Sequence, residues 1–230
     1  MIILSYPKSG RTWLIHMLAD YFGACLPHRI YNDRGKHWLE DCRIPCRNWV
    51  YGYHAIDPDT LQRMKDFYAK PAVYLVRDPR DCITSLYYYR KYVQSPWHKR
   101  VRFRLETLVS QGGFVRTSLN EWKQHLRTYR DLCDRCVSYE QLTTDCRGTL
   151  AQLVGAGPAD MDRIDQAVAR NTFQAHSGRT PGQENPRRFA RKGIVGDWRN
   201  HYARPQWENL FKDLVGEELV ALGYEKDRNW

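Results

Sequence analysis

The sequence lacks any long apolar run. Its cleanest stretch, Ala72 to Val76, covers five residues, whereas a helix crossing a bilayer needs about 20. No membrane partner is therefore expected. No leader is expected either: Met1 to Leu4 runs directly into Ser5-Tyr6-Pro7-Lys8, with no basic start and no apolar stretch of signal length. Cysteine is sparse and odd in number, seven in 230 residues. A disulfide framework is not expected, and a reducing, cytoplasmic setting fits best. Cys133 and Cys136 have C-x-x-C spacing, but Cys42 and Cys46 do not, and the two pairs lie far apart in the chain. Zinc ribbons keep their pairs closer, so free thiols and no metal site are expected. Internal repeats, low-complexity tracts and a polybasic arm are missing as well.

What is there suffices for one core. Hydrophobic residues make up 42% of the chain, ordinary globular usage, and the length suits a single domain over residues 1–230. Lys and Arg number 36 against 26 Asp and Glu, a balance of +10. That excess attracts phosphorylated ligands, polyanions or anionic surfaces.

Strand and helix patterns alternate. Residues 2–6 read as a short buried strand, Pro7 to Arg11 as a basic turn with a glycine, and Thr12 to Phe22 as a helix with Trp13, Leu14, Met17, Leu18 and Tyr21 on one face. A second unit starts with the strand Ala72–Val76. Asp78 is a good N-cap there and Pro79 a good first helical residue. Arg77, Asp81 and Ser85 are four apart and share a stripe. Trp49 to His54 reads as a strand, followed by a helix from Asp57-Pro58 through Phe67. Arg116–Leu132 reads as a helix, Cys136–Tyr139 as a strand, and Glu140–Val154, Asp160–Arg170 and Glu208–Leu222 as helices. His176 to Gly193, rich in Gly and Pro, reads as loop. The alternation predicts an α/β fold with a mainly parallel sheet flanked by helices and a P-loop-like turn after the first strand.

The turn Tyr6-Pro7-Lys8-Ser9-Gly10-Arg11-Thr12-Trp13 is not a nucleotide triphosphatase P-loop, because Lys8 precedes the glycine. It still has the parts of a phosphate cradle: backbone N–H groups, hydroxyls and an ammonium at a helix start.

Pro7-Lys8-Ser9-Gly10-x-Thr12-Trp13 resembles the 5′-phosphosulfate loop of the cytosolic-type sulfotransferases, which use 3′-phosphoadenosine 5′-phosphosulfate (PAPS) and release 3′-phosphoadenosine 5′-phosphate (PAP). Val73 through Ser85 resembles their 3′-phosphate motif, an arginine and a serine eight positions apart. Arg191-Lys192-Gly193-Ile194-Val195-Gly196-Asp197-Trp198 resembles their R-K-G-x-x-G-D-W loop. The resemblance implies that Lys8, Ser9, Gly10 and Thr12 cradle the 5′-phosphosulfate and that Lys8 neutralises charge as the bond to sulfur breaks. It implies that Arg77 and Ser85 grip the 3′-phosphate, with Arg191, Lys192 and Gly193 closing over it. Trp13 and Tyr139 would meet the adenine, and Phe173, in Asn171-Thr172-Phe173, would contact the nucleotide from below. No metal is required, since lysine, arginine and backbone dipoles supply the positive field.

The family places its catalytic base at a strand end ahead of the 3′-phosphate motif. His54 lies 23 residues before Arg77 and ends a predicted strand, so it is the expected base, histidine having a pKa near neutral. Three departures stand out. Gly52 sits where the family often has lysine, and Asn171 replaces a threonine. Arg11 replaces a threonine or serine. It adds charge to the cradle, faces the acceptor or simply lies in solvent.

The expected acceptor is a small molecule presenting a hydroxyl, with an amine as variant. Aromatic-rich segments 26–49 and 87–114 are candidates for its pocket; Asp33, Glu40 and Asp41 there could meet a cationic acceptor. Two rival readings are a P-loop-like nucleotide kinase and a polyanion-binding module without catalysis. The lysine order counts against the kinase. Basic residues at strand–helix junctions count against nucleic acid as partner. No dimerisation motif of the family is evident near the C-terminus.

Overall fold

In a computed structural model the described residues are 1–23, 50–94 and 113–230. Cys42, Cys46, Asp33, Glu40, Asp41, Trp38, Trp97, His28, His37 and His98 lie outside them, with most of both aromatic-rich segments. The elements in chain order are β1 (Ile2–Leu4), α1 (Arg11–Phe22), β2 (Tyr51–Tyr53), α2 (Pro58–Tyr68), β3 (Ala72–Val76), α3 (Pro79–Tyr88), α4 (Phe114–Tyr129), β4 (Arg135–Ser138), α5 (Tyr139–Thr144), α6 (Cys146–Val154), α7 (Met161–Arg170), α8 (Phe173–Ser177) and α9 (Pro205–Ala221). They divide into two compact units: Met1–Arg77 with His125–Arg179, and Asp78–Gln124 with Thr180–Trp230.

The first unit holds a four-stranded sheet in the order β2-β1-β3-β4. Every pairing is parallel, with Ile3 opposite both Gly52 and Val73, and Val76 opposite Ser138. Parallel strands covered on both faces read as continuous apolar runs, and β1 and β3 are buried along their whole length. Leu14, Ile15, Met17 and Leu18 of α1 pack into one core with Val73, Leu75, Val137, Ile164 and Ala167.

Local chemistry accounts for the element ends. The first strand stops at Leu4, two residues short of the expected end, because the chain turns at Tyr6, whose carbonyl accepts from Ser9 N at 3.3 Å. Tyr139 begins a helix instead of ending a strand, since Ser138 and Gln141 form a reciprocal capping box. The helix expected over 140–154 is two helices. Asp145, at φ −138 and ψ 78, interrupts it, and its carboxylate caps α6 by accepting from Gly148 N. The loop expected from His176 starts two residues late, because Thr172 caps the short α8 and Gly178 ends it in a left-handed conformation. Cys133 and Cys146 are free, and burial pushes their thiols up to about 12 and about 11 respectively, so both stay protonated at neutral pH.

In the second unit Asp78 caps α3, accepting from Arg80 N at 2.9 Å, and Pro79 takes the first helical position. The Arg80 guanidinium is buried, forked onto Asp78, bonded to Glu225 at 2.5 Å and stacked 3.9 Å above the Trp198 ring. Asp81 accepts from Gly196 N at 2.8 Å and Trp198 N at 2.9 Å, which fixes the segment after Gly193 onto α3. The final helix begins at Pro205, three residues before the expected start, with the proline where its missing N–H costs least.

Candidate active site

The site grows from the turn between β1 and α1. Lys8 has φ 70 and Gly10 has φ 94, two residues in the left-handed region within three positions. Gly10 is the N-cap of α1, no side chain caps that helix, and its first turn has no acidic residue. The helix therefore presents its N-terminal N–H groups and positive dipole end with no carboxylate in its first turn. Gly10 admits no side chain: a Cβ there would lie 2.5 Å from Tyr139 Cδ2.

Tyr139 gathers the first unit's predicted residues. The Arg77 guanidinium lies 4.1 Å from the Tyr139 ring centroid and its Nη1 donates to the Lys8 carbonyl at 3.1 Å. The Trp13 ring meets Tyr139 edge-on at 5.7 Å, and the Trp13 indole N–H donates to the Asn171 carbonyl at 2.6 Å. Lys8, Gly10, Trp13, Arg77 and Tyr139 thus form one group, with Ser9 buried and Thr12 half-buried beside it. Phe173, at the start of α8, has the Arg179 guanidinium 5.3 Å from its ring.

Asn171, the departure from the family pattern, carries more than its sequence context suggested. It is buried and donates to Asp20 Oδ2 at 2.6 Å, while its Oδ1 is 2.8 Å from His176 Nε2. With its carbonyl on Trp13, it ties α1 to α7. Its link to α1 has no local sequence signal, because Trp13 and Asp20 lie more than 150 positions away.

His54 is the first residue after β2, half-buried, with Nδ1 3.0 Å from the Ser5 carbonyl oxygen. A carbonyl only accepts, so Nδ1 carries the proton and Nε2 keeps a lone pair. Burial, then the positive charge of Arg11, lowers the His54 pKa to about 3, with His125 and Lys8 adding to the effect and the Ser5 bond opposing it.

The Arg11 side chain is not in solvent; the residue is 5% exposed. Its position explains Gly52. A Cβ at Gly52 would run into Ile15 Cδ1 and lie 3.1 Å from Arg11 Cδ. The arginine stem and an isoleucine methyl fill the space a side chain at residue 52 would take.

Sequence reading passed over His125. Its Nε2 bonds the His54 carbonyl, its Nδ1 lies 2.8 Å from Tyr74 Oη, and burial lowers its pKa to about 4. No motif contains it; only the folded chain brings α4 to the end of β2.

Two half-buried histidines held neutral predict an acid weakness. Their folded pKa values lie below the unfolded value of about 6.5, so below that pH the unfolded state binds protons that the folded state refuses. Stability is expected to hold above pH 6.5 and to fall progressively from there toward pH 4. Denaturant midpoints at pH 7.5, 6 and 5 check this, and His125→Gln should flatten the slope. A midpoint constant down to pH 5 would contradict the burial of both rings.

In the second unit Ser85 lies half-buried on α3. Arg191 and Lys192 converge on Asp197, Lys192 at 2.5 Å, and Arg191 also bonds Glu184 at 2.6 Å. Burial works to raise the Asp197 pKa, but hydrogen bonds from His201, Lys192, Arg191 and Asn200 hold the carboxyl well below the usual range. Arg191 stacks 4.6 Å from the Tyr88 ring, and Gly193 has φ 67. No described helix is long and apolar enough to cross a membrane.

Comparison with known proteins bears on the family and the fold. Residues 1–219 match the family described as the sulfotransferase domain. Sulfotransferase 2B1 of Homo sapiens is 26% identical over 247 residues, covering 90% of this chain and 63% of the relative's length. Sulfotransferase 2A1 of Macaca fascicularis is 27% identical over 263 residues, covering 98% of this chain and 86% of the relative. The chain thus spans just under two thirds of the first relative and most of the second. Among solved structures, mouse sulfotransferase SULT7A1 complexed with PAP aligns with a TM-score of 0.70 at 20% identity, covering 95% of this chain and 82% of that one. At that identity the likeness establishes the fold.

Proposed function

Because the chain belongs to the sulfotransferase domain family, we propose that residues 1–230 form one domain that moves a sulfuryl group from PAPS to the hydroxyl of a small-molecule acceptor. The observation that carries this reading is the turn at residues 6–10: an uncapped helix start, ringed by Lys8, Arg77 and Tyr139 and free of acidic side chains in its first turn. Its donors suit a polyphosphate anion and leave little reason for such a charge excess otherwise. The relative SULT7A1, whose structure holds PAP, supports the choice of nucleotide.

PAPS, when bound, supplies the sulfuryl group and a phosphate leaving group. Lys8, the hydroxyls of Ser9 and Thr12 and the Gly10 backbone hold the 5′ end. Lys8 sets a positive charge against the oxygen that gains negative charge, as charged donors do in phosphoryl transfer. Arg11 adds charge on the His54 side of the turn. Trp13, Tyr139 and Phe173 face the adenine. Arg77 and Ser85, with Arg191, Lys192 and Gly193, take the 3′-phosphate, a guanidinium matching it bidentately. His54 Nε2 takes the acceptor proton, and the Ser5 carbonyl stabilises the resulting imidazolium through Nδ1–H. These residues need no metal.

The test is transfer of ³⁵S from labelled PAPS to 2-naphthol, 1-octanol and octylamine, with PAP release measured alongside. Labelled product with equal PAP release is expected for at least one hydroxyl acceptor. No label and no PAP release with any acceptor, together with magnesium-dependent ATP turnover, would overturn the proposal in favour of a kinase.

A further inference from the structure

We infer that His125 is a positioning residue for the base: it fixes the His54 backbone so that the ring keeps Nδ1 on Ser5 and Nε2 toward the substrate. This rests on the reading of His54 as base.

The need for such a residue follows from where β2 ends. Tyr53 is the last residue of the ladder, its carbonyl accepting from Ser5 N at 3.2 Å. Beyond it the chain leaves the sheet, and the His54 carbonyl and the Ile56 N–H have no strand partner. Buried backbone groups left unpaired are costly. The last turns of α4 supply both partners from residues four apart, which share a helix face. His125 Nε2–H donates to the His54 carbonyl, and Tyr129 Oη accepts from Ile56 N at 3.3 Å.

The chemistry of His125 leaves one tautomer. Its Nε2 faces an oxygen that only accepts, so that nitrogen carries the proton. Its Nδ1 must then accept from Tyr74 Oη, 2.8 Å away. Packing holds the ring: Tyr129 lies 4.7 Å and Tyr6 5.9 Å from it, centroid to centroid. The charged and titratable groups around it are Arg11, His54, Tyr6, Tyr74 and Tyr129. Burial keeps it neutral, which preserves the acceptor that Tyr74 needs. The result is a hydrogen-bonded chain from Tyr74 in the middle of the sheet, through His125, to the backbone of His54. It cannot relay a proton to the His54 ring, because it ends on a carbonyl. Its effect is geometric.

The test compares two amides of like chemistry and different reach. The side-chain amide of His125→Gln places an N–H near the position of imidazole Nε2; that of His125→Asn falls short. ¹⁵N-detected imidazole spectra of the PAP-bound protein read the His54 tautomer directly. Wild type and His125→Gln are expected to show one tautomer, protonated at Nδ1. His125→Asn is expected to show both tautomers and to lose about tenfold or more in kcat, with PAP affinity unchanged, since a displaced catalytic group lowers turnover steeply. Equal kcat and equal spectra in the two amides would overturn the inference, as would a loss confined to PAP affinity. Full activity in His54→Ala would remove the base reading and this inference with it. An inactive His54→Ala beside indistinguishable amide variants would sink the inference alone.

Discussion

His54→Ala is expected to lower kcat by about 10²- to 10⁴-fold, the usual contribution of a general base, with PAP affinity close to wild type. The split follows from geometry. The His54 Nδ1 is taken by the Ser5 carbonyl at 3.0 Å, so the ring offers the nucleotide no second donor and serves only at Nε2. The pH profile carries a second signature. With the pKa held near 3 by burial and Arg11, His54 stays neutral well below pH 6.5. The kcat/KM for PAPS, which reports the free enzyme, should lack the acid limb near pH 6.5 that an exposed histidine base gives. Equal kcat in the variant, measured with the best acceptor found, would take His54 out of the reaction.

Lys8→Ala should cost about 10²- to 10³-fold in kcat, the scale seen when one preorganised donor is removed from developing negative charge. It should also weaken PAP binding, unlike His54→Ala. The left-handed backbone at Lys8, φ 70, makes Lys8→Gly the informative companion. Glycine adopts that conformation without strain, so Lys8→Gly keeps the turn while removing the ammonium together with its stem. Similar losses in both variants assign the effect to charge; recovery in Lys8→Gly would assign it to backbone strain.

The turn, the alternating elements and Asp78-Pro79 were legible because each is local. A cap, a proline and a glycine declare themselves within a few residues. The turn at residues 6–10 was legible as a motif, and the structure adds why Gly10 must be glycine: the Tyr139 ring fills its Cβ position. Arg11 was not legible. A lone basic residue reads equally as solvent-facing or functional, and only the packing of its stem against Gly52 shows it buried. Asn171 and His125 were invisible for another reason. Their partners, Trp13 and His54, lie 158 and 71 positions away, and no periodicity or spacing encodes a contact of that range. The break at Asp145 was readable in principle, since Asp favours the N-cap position, but apolar spacing on both sides masked it.

The most direct test of the nucleotide site is titration calorimetry of the folded protein with PAP, beside ATP and AMP at equal concentration, and with melting temperatures recorded in parallel. PAP is expected to bind more tightly than either competitor. At about 100 times its Kd it should stabilise the fold by roughly 2.7 kcal/mol, a rise of a few degrees for a domain of this size. Absence of heat and of any melting shift with PAP, in protein freed of nucleotide, or tighter binding of ATP, would contradict a site built for PAPS.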